Sequence, residues 1–104
     1  MAVQVHDDRQ RRRYEMLEDG MVVGYATYRL HQGMLEIIHT EIDPTRSGRG
    51  LGGQLVSSVL DDARSRGLGV LPYCPYVRHY IDDHAEQFLD LVPADRRKEF
   101  GWVG

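Results

Sequence analysis

The stretch Ile42-Asp43-Pro44-Thr45-Arg46-Ser47-Gly48-Arg49-Gly50-Leu51-Gly52-Gly53 carries four glycines and two arginines. It lies between a strand-like run ending at Ile42 and an amphipathic run beginning near Gly50. The first N–H groups of a helix have no intrahelical partner, and the aligned peptide dipoles leave partial positive charge there. Gly48, Gly50 and Gly52 lack Cβ, so they can take positive φ and let the backbone approach an anion, while Arg46 and Arg49 supply charge-assisted donors. The stretch therefore reads as a phosphate cradle; an ordinary tight turn is the plainer reading of the same glycines. A Walker loop is excluded, because no Lys-Ser or Lys-Thr follows the glycines. A dinucleotide fingerprint is excluded too, since the next strand ends in Pro72-Tyr73-Cys74 without the required acidic residue.

Downstream, Leu51, Leu55, Val56, Val59, Leu60 and Ala63 recur with a 3.6-residue period opposite polar positions, and Gly67 suits the cap that ends such a helix. Gly69-Val70-Leu71 reads as a short buried strand, which Pro72 and Pro75 stop and splay from its neighbour. A last helix is expected from about Tyr76 to Leu91, with Val77, Ile81, Ala85, Phe88 and Leu89 facing the sheet and Tyr76, Tyr80 and His84 aligned on the other side.

Upstream, Val3 and Val5 alternate with polar residues up to the Asp7-Asp8 turn, and Tyr14 to Leu17 forms a second strand. Asp19-Gly20 is a strong two-residue hairpin signal leading into a third strand, Met21 to His31. There Val22, Gly24, Ala26, Tyr28 and Leu30 share one face and Val23, Tyr25, Thr27 and Arg29 the other. Both faces are partly apolar, which predicts cover on each side. Gln32-Gly33 turns the chain into a fourth strand, Met34 to Ile42, and a right-handed crossover from fourth to fifth strand is expected. His39 and Glu41, two apart on that strand, share a face; they read as a general-base pair or as a surface pairing in the hairpin.

The spacing of Gly50 and Gly52 resembles motif A of the GNAT superfamily of acetyl-CoA-dependent N-acyltransferases. Ser47 stands where that motif usually has Gln or Arg, with Arg46 one place early. His39-Thr40-Glu41, Ser47-Gly48-Arg49-Gly50-Leu51-Gly52, Cys74-Pro75-Tyr76-Val77, Tyr80-Ile81 and His84 together resemble the small, minimal members typified by the YjdJ-like group, from about Tyr14 to Val92. The resemblance implies a mixed α+β sheet of about five strands, mostly antiparallel hairpins followed by a strand-helix-strand-helix unit, without the usual first two helices and last strands. It implies acetyl-CoA as acetyl donor, with the pantetheine arm beside Thr40, Glu41 and Ile42 and the pyrophosphate on the amides of Gly48, Arg49, Gly50, Leu51, Gly52 and Gly53. Tyr80 matches, by its position in the last helix, the tyrosine that stands near the cofactor sulfur and can protonate the leaving thiolate, with a tyrosine packed at a helix edge as the plainer reading; Tyr76 and Cys74 are expected to line the same pocket. Cys74 is read as a wall of that pocket or as an acetyl-carrying nucleophile. The acceptor is an amine: a protein lysine, an N-terminus or a small amine such as a polyamine. The alternative function is a CoA-sensing or interaction module without efficient chemistry.

The chain has 104 residues and a net charge of −3, enough for one domain over 1–104 with a charged tail from about 93 to 104. In that tail Trp102 either docks or stays loose. Its charge argues against a nucleic-acid partner despite Arg9-Gln10-Arg11-Arg12-Arg13. No apolar run is long enough to span a bilayer, no leader-like segment opens the sequence, and the single Cys74 cannot form an internal disulfide. A cytoplasmic monomer or weak dimer is expected, and the residues give no three-ligand metal set.

Overall fold

The computed structural model describes residues 3–103. Five strands form one sheet in the order β1-β2-β3-β4-β5: Val3–Asp8, Arg13–Glu18, Met21–His31, Met34–Ile42 and Gly69–Pro72. The first four pair antiparallel. β5 pairs parallel with β4 after the helix α1, Leu51–Ser65. Asp19 and Gly20 take φ of 51° and 79°, and Gln32 and Gly33 take 52° and 77°, so both two-residue turns have positive φ at each central position. The stripe expected on α1 is the one buried. At its end the Gly67 N–H reaches Arg64 O and the Leu68 N–H reaches Ala63 O, the paired bonds of a Schellman cap.

Two bulges revise the strand reading. Met16 faces Gly24 and Leu17 faces Val22, which leaves Val23 as an extra residue. The extra residue turns Val23 into the core, while Val22 is 45% exposed. Leu30, expected on a covered face with Ala26 and Tyr28, projects at the hairpin end and is also exposed. A second shift leaves Ile38 unmatched between Tyr28–Ile37 and Thr27–His39. Beyond it Thr40 and Ile42 continue the face of Ile37, and His39 and Glu41 continue that of Glu36. The expectation of cover on both faces of β3 fails: Gly24, Ala26 and Tyr28 are buried, whereas Tyr25 and Thr27 are only half-buried and Arg29 is exposed.

The expected last helix is broken. It runs as α2, Pro75–Asp83, and resumes as α3, Ala85–Phe88, after His84 takes φ −125° and ψ 40°. A tight turn then carries Leu89–Leu91. Val77, Ile81 and Phe88 remain buried, so the break re-aims the apolar stripe and keeps it on the core. The charged tail is ordered: Ala94–Phe100 winds as a tight helical segment, Phe100 packs edge-on to Tyr73, and the Trp102 indole donates to Asp82 at 3.1 Å.

Candidate active site

β4 and β5 pair only from Met34–Gly69 to Ile37–Pro72. Pro72 ends the ladder, and the Cys74 N–H makes a last bond to Ile37 O at 2.9 Å. From there the chain enters α2 with Cys74 as N-cap and Pro75 in its first turn, where a missing N–H is harmless. Past Ile37, β4 continues to Ile42 without a partner on its β5 side among the described residues. The thiol of the buried Cys74 spans the widening gap, donating to Thr40 Oγ1 at 3.6 Å.

After Ile42 the chain turns through Pro44–Arg46. Asp43 organises the turn: its carboxylate accepts the Thr45 N–H at 3.0 Å and the Thr45 hydroxyl at 2.8 Å. These bonds, with Arg46 beside it, hold the Asp43 carboxyl below the usual range. Gly48 and Gly50 then take φ of 82° and 74°, and Gly50 caps α1 without any side-chain hydrogen bond. No acidic residue lies in the first turn of α1 to offset the positive end of its dipole, and Gly50, Leu51 and Gly52 at that end border a cavity of about 360 Å³. Thr40, Ile42, Arg46, Gly50, Gly52 and Tyr76 line it.

Gly52 does not use positive φ, contrary to its expected role. It is helical, and its missing Cβ leaves the room that the Tyr76 hydroxyl occupies. Tyr76 is thereby laid against the cavity wall. Tyr80 is not brought there: its ring lies over Gly53, stacks on His84 with centroids 4.1 Å apart, and borders a neighbouring hollow with Val3, Val5 and Met16.

The arginines were expected to offer their donors to a phosphate, and the structure ties them down. Both Arg49 terminal nitrogens bond the Glu18 carboxylate, at 3.0 and 2.5 Å, and Arg46 Nε reaches the same group at 3.2 Å. Arg46 also donates to Asp43 at 2.7 Å. The Arg49 bonds, joined by those of Arg46 and opposed by burial, pull the Glu18 carboxyl down to about 2. Glu18 thus fastens the glycine loop to the end of β2. No local signal marks it, because 31 residues separate it from Arg49.

His39 and Glu41 lie on the opposite, open face of the sheet. The His39 Nε2 and one Glu41 oxygen are 3.2 Å apart, and the Tyr25 hydroxyl donates to the other oxygen at 3.2 Å. Burial, then the charge of Glu41, raises the Tyr25 pKa, so Tyr25 keeps its proton as a donor. Tyr25 was not singled out from sequence; the unshifted register from Gln32-Gly33 would pair it with Thr40, and the bulge at Ile38 brings Glu41 opposite instead. Among the described residues no group of three or more His, Cys, Asp or Glu is placed to hold a metal.

Residues 13–91 match the family model of the GCN5-related N-acetyl-transferases. None of the curated proteins matches the chain. Among solved structures, a GCN5-like protein from Staphylococcus aureus superposes with a TM-score of 0.66 at 18% identity, over 86% of this chain and 87% of that one. An acetyltransferase from Brucella melitensis, solved with acetyl-CoA, gives 0.52 at 25% identity over 65% of this chain and 50% of its own. Rv2747 from Mycobacterium tuberculosis, solved with CoA, gives 0.53 at 25% over 71% and 47%. The ribosomal-protein-S18-alanine N-acetyltransferase of Escherichia coli gives 0.53 at 19% over 56% of this chain, which spans only 38% of that protein's length.

Proposed function

Because the chain belongs to the family of GCN5-related N-acetyl-transferases, we propose that it moves the acetyl group of acetyl-CoA directly to a primary amine, as one of the small YjdJ-like members. The observation that carries this reading is the uncapped N-terminus of α1, opened by left-handed Gly50, set beside the unpartnered end of β4. The amides of Leu51, Gly52 and Gly53 suit a pyrophosphate. Thr40 and Ile42 offer backbone to an extended amide-bearing arm, and Tyr76 walls the cavity between them. Arg46 and Arg49 hold the loop through Glu18, their charges balanced by Glu18 and Asp43. A cytoplasmic location goes with this reading, since Cys74 is a free thiol.

An alkyl amine such as lysine, with an ordinary pKa near 10.4, is neutral in only about one molecule in 2,500 at pH 7. Glu41, held by Tyr25 and His39 and exposed to solvent, is the group proposed to take that proton. A lysine side chain, an N-terminus and a small amine are the acceptors in view. The test is CoA release from acetyl-CoA over a panel of such amines. Turnover with at least one amine is expected, and Glu41→Gln should lower kcat/KM about a hundredfold at pH 7 and make it climb more steeply with pH, because the variant must wait for the amine to lose its proton to solvent. Binding of acetyl-CoA without turnover on any amine would leave the CoA-sensing module instead.

A further inference from the structure

The run Arg9-Gln10-Arg11-Arg12-Arg13 takes no part in the cradle, and the fold gives it another setting. It builds the turn between β1 and β2, where Arg12 has φ 55°, a left-handed conformation easy for glycine and strained for arginine. The Arg12 carbonyl accepts the Tyr28 N–H at 3.0 Å, which fastens the turn to β3. Beside it lies a cavity of about 550 Å³ lined by four arginines, Arg9, Arg12, Arg29 and Arg66, against one carboxylate, Glu36, with Tyr28, Leu30 and His31 completing the wall. Leu30 and the cradle's Gly24–Ile42 pair lie about six strand residues apart, roughly 20 Å.

The cations around this cavity are not equally committed. Arg66 is fixed, donating to Asp7 and to the Tyr14 hydroxyl at 3.3 Å each and to Asp62 at 3.4 Å. Asp7 is further occupied by the Tyr28 hydroxyl at 2.5 Å. Arg9 and Arg29 are themselves exposed and use only Nε to reach the largely buried carboxylates of Asp7 and Glu36, at 3.3 and 3.0 Å, which leaves their terminal nitrogens for a second anion. Arg11 and Arg13 pair with Asp8 and Glu15. Arg12 forms no ion pair among the described residues.

We propose that this pocket binds a small phosphate-bearing organic anion of about nucleotide size, at a site separate from the cradle. Its volume lies within the span of small-molecule sites, and guanidinium forks match phosphate oxygens. Leu30, 49% exposed, and His31 form a wall for the part of the ligand that bears no charge. Strain at Arg12 has a purpose in this setting, because it holds an uncommitted cation at the rim. A nucleic-acid backbone fits less well, since it calls for a continuous basic stripe and the chain carries net negative charge.

The test uses the full chain labelled with ¹⁵N and titrated with ADP, followed by amide chemical shifts, because ADP has the stated chemistry and each site reports separately. Shifts are expected at residues 9–13 and 28–31. Arg12→Gly, which suits the local φ and removes the cation, should weaken that titration about tenfold while leaving any response at Gly48–Gly53 unchanged. Arg29→Gln is the second variant and should weaken it in the same sense. The proposal is overturned if the response is confined to Gly48–Gly53, if both variants titrate like the parent, or if only an oligonucleotide or an acidic peptide moves residues 9–13.

Discussion

Glu18, 4% exposed, gathers two guanidinium groups that the sequence places 28 and 31 residues away. Because its folded pKa of about 2 lies below the ordinary value near 4.3, its contribution to stability is complete above that value and fades as pH falls toward 2. Glu18→Gln should therefore unfold at lower denaturant than the parent at pH 7, with a shallower loss of stability between pH 4.3 and 2; equal acid limbs in urea titrations would contradict this. Cys74 raises a different question. A thiol 4% exposed and bonded to Thr40 packs with the core and does not line the cavity as expected, and direct transfer has no use for it as a carrier. Cys74→Ala is expected to keep turnover within about tenfold of the parent, a loss no larger than a small buried cavity explains. An acetyl adduct on Cys74 in the intact mass, consumed when amine is added, would mean a two-step route.

At the scale of elements, the glycines of the cradle divide by task. Gly50 supplies φ, while Gly52 supplies space between α1 and α2 for Tyr76. Gly52→Ala gains about 1 kcal/mol of helix propensity, and Tyr76 is exposed enough to swing aside, so thermal stability should change little. Acetyl-CoA affinity should nevertheless fall, because the ring leaves the cavity wall. Calorimetry on Gly52→Ala, Tyr76→Ala and the double variant checks this, with the double variant expected to bind like Tyr76→Ala. The same elements show what was legible in advance. Asp19-Gly20 and Gln32-Gly33 dictate their turns locally, and the stripe on α1 with its Gly67 cap is a local pattern as well. The bulges at Val23 and Ile38 answer to packing across strands, which no single segment encodes, and they decide which face Tyr25 and Glu41 share. The break at His84 was hidden because the apolar residues on either side continue one helical period. Within the site, the glycine turn could be read from neighbours in sequence, whereas the Glu18 clamp and the Tyr25–Glu41 pair needed the register.

The whole molecule is a slab with principal extents of 41, 29 and 19 Å, room for a sheet and one principal layer of helices. Such a slab leaves much of one sheet face open, and Glu41 stands on it while the cradle lies on the other. In the proposed reaction donor and acceptor would approach from opposite sides of one strand. The short β5 has a further effect on how the protein behaves between turnovers. From Ile38 to Ile42, β4 presents alternating unsatisfied amides and carbonyls in the interior of a sheet, as a sheet margin does. These amides should exchange with deuterium far faster than those at Leu35 and Ile37, and CoA should slow them if it lies along that strand; unaltered exchange with CoA bound would place the arm elsewhere. Any extended segment can dock in the same gap, including one from a misfolded copy. Coenzyme supply would then govern shelf life in solution as well as rate: protein stripped of CoA should scatter light and precipitate on warming sooner than protein stored with it.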